Sequence, residues 1–253
     1  MSRAASVAWL RSGLVAAVIL ALEALCRLGF VNRLTMIPPS EMAVALAGLL
    51  ASGRVAADIR FTLQNTAAAI AVSVLAGFAI GAAVHELPRL RRVLDPLFSA
   101  YYAVPTFVLY PLLIVAFGIG ASSLIAMGAM FGVVAMIINT LIGLDRVPAS
   151  LMKTARVMRL GGLRTMLLVR LPAALPSLVT GMKLAVAYSV IGVVAAEFIL
   201  TTAGVGKRIS FAYNDFDTRT MYALMLLIIV AVMLLNGLLY AWEQRLHRRW
   251  GRA

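Results

Sequence analysis

The sequence predicts an all-α membrane protein with six transmembrane helices, and three observations predict it. Hydrophobic residues make up 62% of the 253 residues and charged residues only 13%, whereas a soluble domain carries about 25% charged residues. Several apolar runs approach the ~20 residues that a helix needs to cross a bilayer. Lys and Arg cluster between alternate runs, as the positive-inside rule describes. This composition excludes soluble and disordered chains.

The predicted helices belong to a single transmembrane domain, residues 1–253. We interpret the first helix as uncleaved, because no small-x-small cleavage site follows it. Inside it, Glu23 can pair with Arg27. The apolar helix after Pro38-Pro39-Ser40-Glu41 is too short to span and is expected on the outer surface. The six spans are predicted at approximately 12–30, 61–84, 96–117, 122–144, 177–200 and 221–242.

Prolines and glycines shape these helices. Pro105 and Pro111 interrupt the third predicted helix, because a proline inside a membrane helix kinks it and frees backbone carbonyls. Glycines four residues apart allow a neighbouring helix to approach closely. Two such faces are predicted, at Gly77 with Gly81 and at Gly128 with Gly132.

The distribution of the 23 Lys and Arg residues indicates the orientation of the chain. Six spans place both termini on one side. Most of the positive charge lies in the termini and in residues 85–95 and 145–176, so we expect all of these in the cytoplasm. The net charge of +13 is therefore a topology signal, and no nucleic acid is expected as a partner.

Residues 145–176, here called the basic segment, separate the fourth and fifth predicted helices. A charge at mid-bilayer costs ~2.5–3.5 kcal/mol, so this segment must lie outside the hydrocarbon. Its acid is Asp145, and its basic residues are Arg146, Lys153, Arg156, Arg159, Arg164 and Arg170.

A short amphipathic helix is predicted from Ala149 to Met158, ended by Gly161-Gly162. Such a helix fits a groove in a soluble partner, or it lies on anionic lipid headgroups. Further along, Pro172 and Pro176 are expected to fix a bend before the fifth helix. The predicted apolar face of the short helix holds Leu151, Ala155 and Met158, and the opposite face holds Lys153, Arg156 and Arg159.

No motif for catalysis, metal binding or nucleotide binding appears. HExxH, CxxC and GxSxG are absent, and Cys26 is the single cysteine. Gly206-Lys207 lacks the first glycine of a phosphate loop and is followed by Arg208 instead of Ser or Thr. We therefore expect neither enzyme activity nor a metal or cofactor in this chain. If ATP drives its function, the ATPase is a separate chain.

Several motifs, in order and spacing, resemble ABC importer permeases of the type I fold. The likeness is greatest to the nitrate/sulfonate/taurine/bicarbonate family of binding-protein-dependent transport inner membrane components. In the basic segment, Thr154-Ala155 and Leu171-Pro172 stand where that family's EAA loop has Ala-Ala and Leu-Pro. Lys153 and Arg159 depart from the family's Glu and Gly, and Gly161 follows. Further matches are Ile37–Glu41, Phe117–Gly120, Asn139-Thr140, and Glu197 with Gly204 and Gly206.

The resemblance implies partners and a location. Two permease copies would form the path, and a pair of ATPase subunits beneath them would hold ATP and magnesium. An extracytoplasmic binding protein would deliver a small solute to the bacterial inner membrane: an anion such as sulfonate, taurine or nitrate, or a cofactor precursor. The residues implied to couple to the ATPase are Lys153, Thr154, Ala155, Arg156, Met158, Arg159, Gly161, Leu171 and Pro172.

Further polar residues are candidates for weaker reasons. Asn65, Thr106, Asn139 and Glu197 are candidates for the translocation path, although polar side chains also bond adjacent helices. Asp215, Asp217 and Arg219 are candidates for contact with the binding protein, or they lie in a merely solvated loop.

The alternative function is that of a stand-alone channel or an ion-coupled secondary transporter. An ion-coupled carrier needs intramembrane acids or broken helices in paired repeats. Glu23 and Glu197 are the candidate acids.

Overall fold

The computed structural model describes residues 3–33, 35–199 and 201–250, and within these ranges the regular structure is helical throughout. Short 3₁₀ turns cover Tyr101–Ala103 and Thr106–Leu109, and a π-helical stretch covers Met166–Arg170. The helices are α1 (Arg3–Arg27), α2 (Pro39–Ala51), α3 (Ala56–Glu86), α4 (Pro88–Ala100), α5 (Tyr110–Phe117), α6 (Ala121–Asp145), α7 (Ala149–Val157), α8 (Gly162–Thr165), α9 (Leu171–Ile199), α10 (Val205–Asn214) and α11 (Thr218–Trp250).

The described residues contain four helices that are long and apolar enough to cross a membrane: 56–86, 121–145, 162–199 and 218–245. A bent pair, 88–103 with 106–117, adds a fifth if the pair counts as one span. The all-helical membrane class is therefore confirmed. The count of six spans stays a prediction, in which the 25-residue α1 would supply the remaining helix.

The centre of the molecule is α6, which packs against both α9 and α3. At Gly132 a Cβ atom would lie 2.5 Å from Ser189 Oγ and 2.6 Å from Ser73 Oγ, so only glycine fits. The two serine hydroxyls hydrogen-bond to each other at 2.8 Å, and both residues are fully buried. The predicted close packing at this glycine is confirmed, and Ser73, Gly132 and Ser189 mark one level of the bundle.

The third predicted span, 96–117, is not one helix. The segments on either side of Val104 and Pro105 meet at 95°, and α4 begins as early as Pro88. Pro105 has no N–H to continue a helix, and Val104 is extended with ψ 126°, as the residue before a proline tends to be. The predicted interruption is confirmed, but it is a break rather than a kink.

The fifth predicted span begins earlier than expected. Residues 162–199 form one helix of 38 residues, so the predicted start at residue 177 is wrong, and Pro172 and Pro176 lie within this helix rather than ahead of it. The stretch packs tightly on α6: a Cβ atom on Gly143 would lie 3.1 Å from the Ala174 carbonyl oxygen. This packing supports the helix where the prolines leave backbone carbonyls without partners.

The first helix is tied to the start of α2. Arg27 Nε donates to the Glu23 carboxylate at 2.6 Å, which confirms the predicted pair. Glu23 also accepts from the Ser40 backbone N–H at 3.0 Å and from the Ser40 hydroxyl at 2.6 Å. The carboxylate therefore satisfies the first turn of α2, whose Met42 is buried.

Candidate functional site

The basic segment begins with a nine-residue helix, α7, close to the predicted 149–158. Pro148 precedes it, in a position that needs no N–H donor. At the other end, the Leu160 N–H donates to the Ala155 carbonyl and the Arg159 N–H to the Arg156 carbonyl, both at 3.0 Å. These two bonds form a Schellman motif, which closes a helix through a left-handed residue.

The left-handed residue is Arg159, with φ 52°. A side chain in this conformation costs roughly 1–2 kcal/mol, whereas glycine adopts it freely. The family that this chain resembles carries glycine here, and the geometry supplies the physical reason. The chain therefore turns at Arg159, two residues before the predicted break at Gly161.

The residues expected to couple to an ATPase differ in exposure. Ala155 is buried at 3%, whereas Met158 is 66% exposed. Leu171 and Pro172 lie in the first turn of α9 and are half-buried. The exposed members are Lys153, Thr154, Arg156, Met158, Arg159 and Gly161.

Most of the predicted apolar face of α7 is uncovered. Of Leu151, Ala155 and Met158, only Ala155 is buried, and Leu151 is 42% exposed. Val157, on the outer side, is 84% exposed. Periodicity identified the apolar residues. Because α7 protrudes from the bundle, few neighbouring residues pack against these side chains. It presents basic and apolar side chains together.

Ion pairs anchor both ends of the basic segment to the end of α3 and the start of α4. Asp145 accepts two hydrogen bonds from Arg91, at 2.7 and 2.6 Å, and its carboxylate lies 3.3 Å from His85 Nδ1. Arg170 pairs with Glu86. Sequence reasoning missed these contacts. The signal was an acid, Asp145 or Glu86, standing alone in an otherwise basic loop.

A cleft of 660 Å³ separates α7 from the end of α3. Ala155 and Arg156 line it from α7, and Ala82 and Glu86 line it from α3. The helix is thus held at its ends rather than packed along its length. A force applied to α7 would reach the bundle through Asp145 and Arg170.

At the opposite end of the bundle, Glu197 is fully buried near the end of α9. It accepts hydrogen bonds from the Thr62 hydroxyl, at 2.8 and 3.0 Å, and from the Gly206 N–H at 3.0 Å. Gly204 has φ 111°, and a Cβ atom there would lie 2.5 Å from both Glu197 carboxylate oxygens. This arrangement, the Glu197 clamp, holds α3, α9 and the start of α10 together.

The four path candidates lie on four different elements of the bundle. Asn65 is 4% exposed, and its Nδ2 has no hydrogen-bond partner in the described part of the chain. Thr106 is buried in the break between α4 and α5. Asn139 donates to the Ala135 carbonyl of its own helix at 2.8 Å. Their role in the path, like that of Glu197, stays a prediction.

Of the binding-protein candidates, Asp215 and Asp217 lie in the turn between α10 and α11, and Arg219 lies in the first turn of α11. The surrounding segment was expected to be loop but is largely helical. Asp215, Asp217 and Arg219 are all exposed. Asp217 Oδ1 accepts from the Thr220 N–H at 3.0 Å, so it caps α11. In the same turn Phe216 has φ 56° and is 82% exposed. The described residues contain no group of three or more His, Cys, Asp or Glu that could hold a metal ion.

Comparison with known proteins identifies the family. Residues 69–252 match the model of the binding-protein-dependent transport system inner membrane component. The chain belongs to this family. It is therefore a multi-pass membrane permease of an ABC transporter and not an enzyme, since such transporters hydrolyse ATP in separate subunits.

Individual relatives agree. The chain is 30% identical to the nitrate import permease protein NrtB of Leptolyngbya laminosa over 72% of this chain, and the match spans 65% of that protein's length. It is 29% identical to SsuC of Bacillus subtilis, named as an aliphatic sulfonates transport permease, over 94% of this chain and 87% of that protein. The inward-facing MetNI methionine ABC transporter has a similar fold, with a TM-score of 0.61 at 20% identity, covering 78% of this chain and 97% of that chain.

Proposed function

We propose that this chain forms the membrane-spanning path of an ATP-driven importer and that its basic segment docks into a pair of cytoplasmic ATPase subunits, which hold ATP and magnesium. The observation that carries this proposal is the geometry of α7. Its Lys153 and Arg156 are exposed beside the uncovered Val157 and Met158. A short helix with exposed cations and apolar side chains fits a groove in a protein partner.

Ion pairing gives the docked helix a route to the bundle. Asp145 ends α6 and Arg170 directly precedes α9, so both ends of the basic segment continue into central helices. When ATP binding closes the ATPase pair, α7 would move with it. The movement would then shift α9 against α3 and alternate the access of the path.

Membership of the permease family favours this function over a stand-alone channel or an ion-coupled carrier. Family membership also implies an external substrate-binding protein as a partner. The candidate contacts for that protein remain Asp215, Asp217 and Arg219. A second copy of the chain would complete the path as a homodimer. The basic end, with both termini, would face the bacterial cytoplasm from the inner membrane, with α1 as the sixth span.

The relatives and the sequence resemblance support a proposal for the substrate class. Nitrate and aliphatic sulfonates, for which the two relatives are named, are small anions. We propose a small anion such as a sulfonate, taurine or nitrate for this chain, with a cofactor precursor as the second candidate. Identification of the molecule that co-purifies with the cognate binding protein would decide between them.

Charge reversal of α7 tests the docking. Because Ala155 is buried, a change there would also disturb the segment, so Lys153→Glu with Arg156→Glu is the sharper variant. Arg89→Glu with Arg92→Glu is the matched control, since both residues are exposed at the same end but lie in α4.

The expected result is loss of ATP-dependent uptake and of co-purification with the ATPase in the α7 variant, with normal membrane insertion, while the α4 control keeps both. Unchanged uptake in the α7 variant would refute the docking proposal. Binding to anionic vesicles that the α7 variant loses, with ATPase binding retained, would instead favour a lipid contact.

A further inference from the structure

The break between α4 and α5 lies about halfway along the length of the bundle, level with the middle of α6. The Tyr101 hydroxyl donates to the Met130 carbonyl at 2.9 Å, and the Tyr102 hydroxyl donates to the Phe131 carbonyl at 3.3 Å. Both acceptors lie within two residues of Gly132, which marks the level of the buried serine pair. A helix as long as α6, 25 residues, covers about 37 Å, and these acceptors lie in its central turns.

The backbone at the break is open and irregular. Val104 is extended and Pro105 has ψ 84°, so neither continues a helix. Both residues are exposed, Val104 at 55%. Irregular backbone at membrane depth is tolerated only where it is buried in protein or lines a water-filled cavity, because lipid satisfies no carbonyl. Exposure excludes burial within this chain and leaves a water-filled cavity or burial against a second copy, two cases that the labelling experiment below distinguishes.

An aromatic stack lies between the residues just before the break and α9. The rings of Tyr102 and Tyr188 stack with centroids 5.1 Å apart, and Tyr101 meets Tyr102 edge-on at 5.4 Å. Tyr102 is held to α6 by its hydrogen bond, whereas the Tyr188 hydroxyl makes no hydrogen bond within the described part of the chain. Tyr188 is carried by α9, which continues from the basic segment.

From these observations we propose that the break at Ala103–Pro105 lines the aqueous translocation path and that the Tyr102–Tyr188 stack is its constriction. The inference rests on the proposed function, since it assigns the path of that importer. Tyr102 is the fixed side and Tyr188 the moving side. A shift of α9 driven through the basic segment separates the rings and opens the path to a small polar solute.

Cysteine labelling tests the placement. Cys26 is the single native cysteine, so Cys26→Ala gives a clean background for Val104→Cys in the complete transporter. The matched control is Leu75→Cys, which is 71% exposed in the unbroken α3, two residues from Ser73 of the central level. The probe is sulfonatoethyl methanethiosulfonate, a membrane-impermeant anion, applied to vesicles with and without ATP.

Modification of Val104→Cys without modification of Leu75→Cys is the expected result. An unmodified Val104→Cys in vesicles that still take up substrate would overturn the path assignment and leave the importer function standing. Equal modification at both positions would also overturn it. Absence of ATP-dependent uptake in the Cys26→Ala parent and in the wild type alike would instead refute the proposed function itself.

Substitutions of Tyr188 test the constriction. Tyr188→Ala removes one ring of the stack and is expected to raise uptake without ATP about five-fold. The loss of one aromatic pair shifts the equilibrium between the closed and the open constriction by about this factor. Tyr188→Phe keeps the stack and should behave as wild type. Equal ATP-independent uptake in wild type, Tyr188→Phe and Tyr188→Ala would overturn the gate.

Discussion

The two ends of the bundle both tie α3 to α9, but with different strength. At the end far from the basic segment, Glu197 is fully buried, and Thr62 and Gly206 donate hydrogen bonds to its carboxylate in the Glu197 clamp. At the basic end Arg170 meets Glu86, whose side chain is 57% exposed. Leaving a buried hydrogen-bonding group without its partner costs about 1–3 kcal/mol, whereas an exposed ion pair contributes about 0–1 kcal/mol.

This difference indicates how the helices can move. The buried Ser73–Ser189 hydrogen bond also joins these two helices at mid-level, so a movement driven from the basic segment would be largest at the loosely tied end. The loosely tied end carries the basic segment, where an external force would act. We therefore infer that the Glu197 clamp is the fixed end, and we call the exposed Glu86–Arg170 and Arg91–Asp145 pairs the yielding ties.

The largest expected effect follows from crowding the clamp. Gly204→Ala combines a left-handed backbone with a Cβ atom 2.5 Å from the Glu197 carboxylate oxygens. We expect the free energy of unfolding to fall by about 3 kcal/mol or more, measured as a lower midpoint of thermal unfolding in detergent. Gly118→Ala is the control, because Gly118 also has positive φ, 79°, but nothing within 4 Å. Equal shifts of the unfolding midpoint in both variants would show that backbone strain alone, and not crowding of the clamp, causes the loss of stability.

A direct comparison of the two ends is the next largest effect. Glu197→Ala leaves the Thr62 hydroxyl and the Gly206 N–H buried without an acceptor, at a cost of about 2–3 kcal/mol. Glu86→Ala removes an exposed pair and should cost under about 1 kcal/mol. Thermal unfolding of the two variants side by side measures the difference. A Glu86 variant that unfolds as early as the Glu197 variant would contradict the distinction between clamp and tie.

Charge exchange at Arg91 and Asp145 tests whether the yielding tie transmits movement. Arg91→Asp places two acids together and is expected to reduce ATP-dependent uptake about five-fold, the equivalent of ~1 kcal/mol. Arg91→Asp with Asp145→Arg restores the pair in reverse and should recover most of the uptake, with ATP hydrolysis recorded in parallel. If the double variant transports no better than Arg91→Asp, the pair does not act as a tie.

The smallest effect is expected at the end of α7. Arg159→Gly relieves a left-handed side chain, although glycine also gains freedom in the unfolded chain, so the net gain is up to about 1 kcal/mol. Hydrogen exchange at the Leu160 amide, which donates to the Ala155 carbonyl, should slow by up to about five-fold. Val157→Gly is the control: it lies inside the helix and should speed exchange. Faster exchange in Arg159→Gly would refute the assigned strain.

Sequence reasoning was most successful where one segment alone carries the information. The short helix after Pro38, the helix of 122–144 and the amphipathic helix after Pro148 were predicted to within a few residues, because apolar runs and cap residues act locally. It failed where packing overrides local preference. Pro172 and Pro176 do not interrupt the helix, since that stretch lies against Gly143 of α6.

The functional site divides in the same way. The position and charge of the basic segment were predictable, as was the helix within it. The direction in which α7 points was not predictable: Leu151 and Met158 are exposed because no neighbour covers them. Arg159 as the left-handed residue could be found only by comparison with a family that carries glycine there.

The sequence by itself determined the membrane class, the order of the apolar helices and the place of the charged segment between them. Hydropathy and charge are properties of each residue that add along the chain, and the bilayer responds to that sum. Only the tertiary structure decided which distant residues meet: Thr62 with Glu197, Glu86 with Arg170, and Tyr102 with Tyr188. Each of these contacts depends on how helices far apart in sequence pack together, which no local pattern contains.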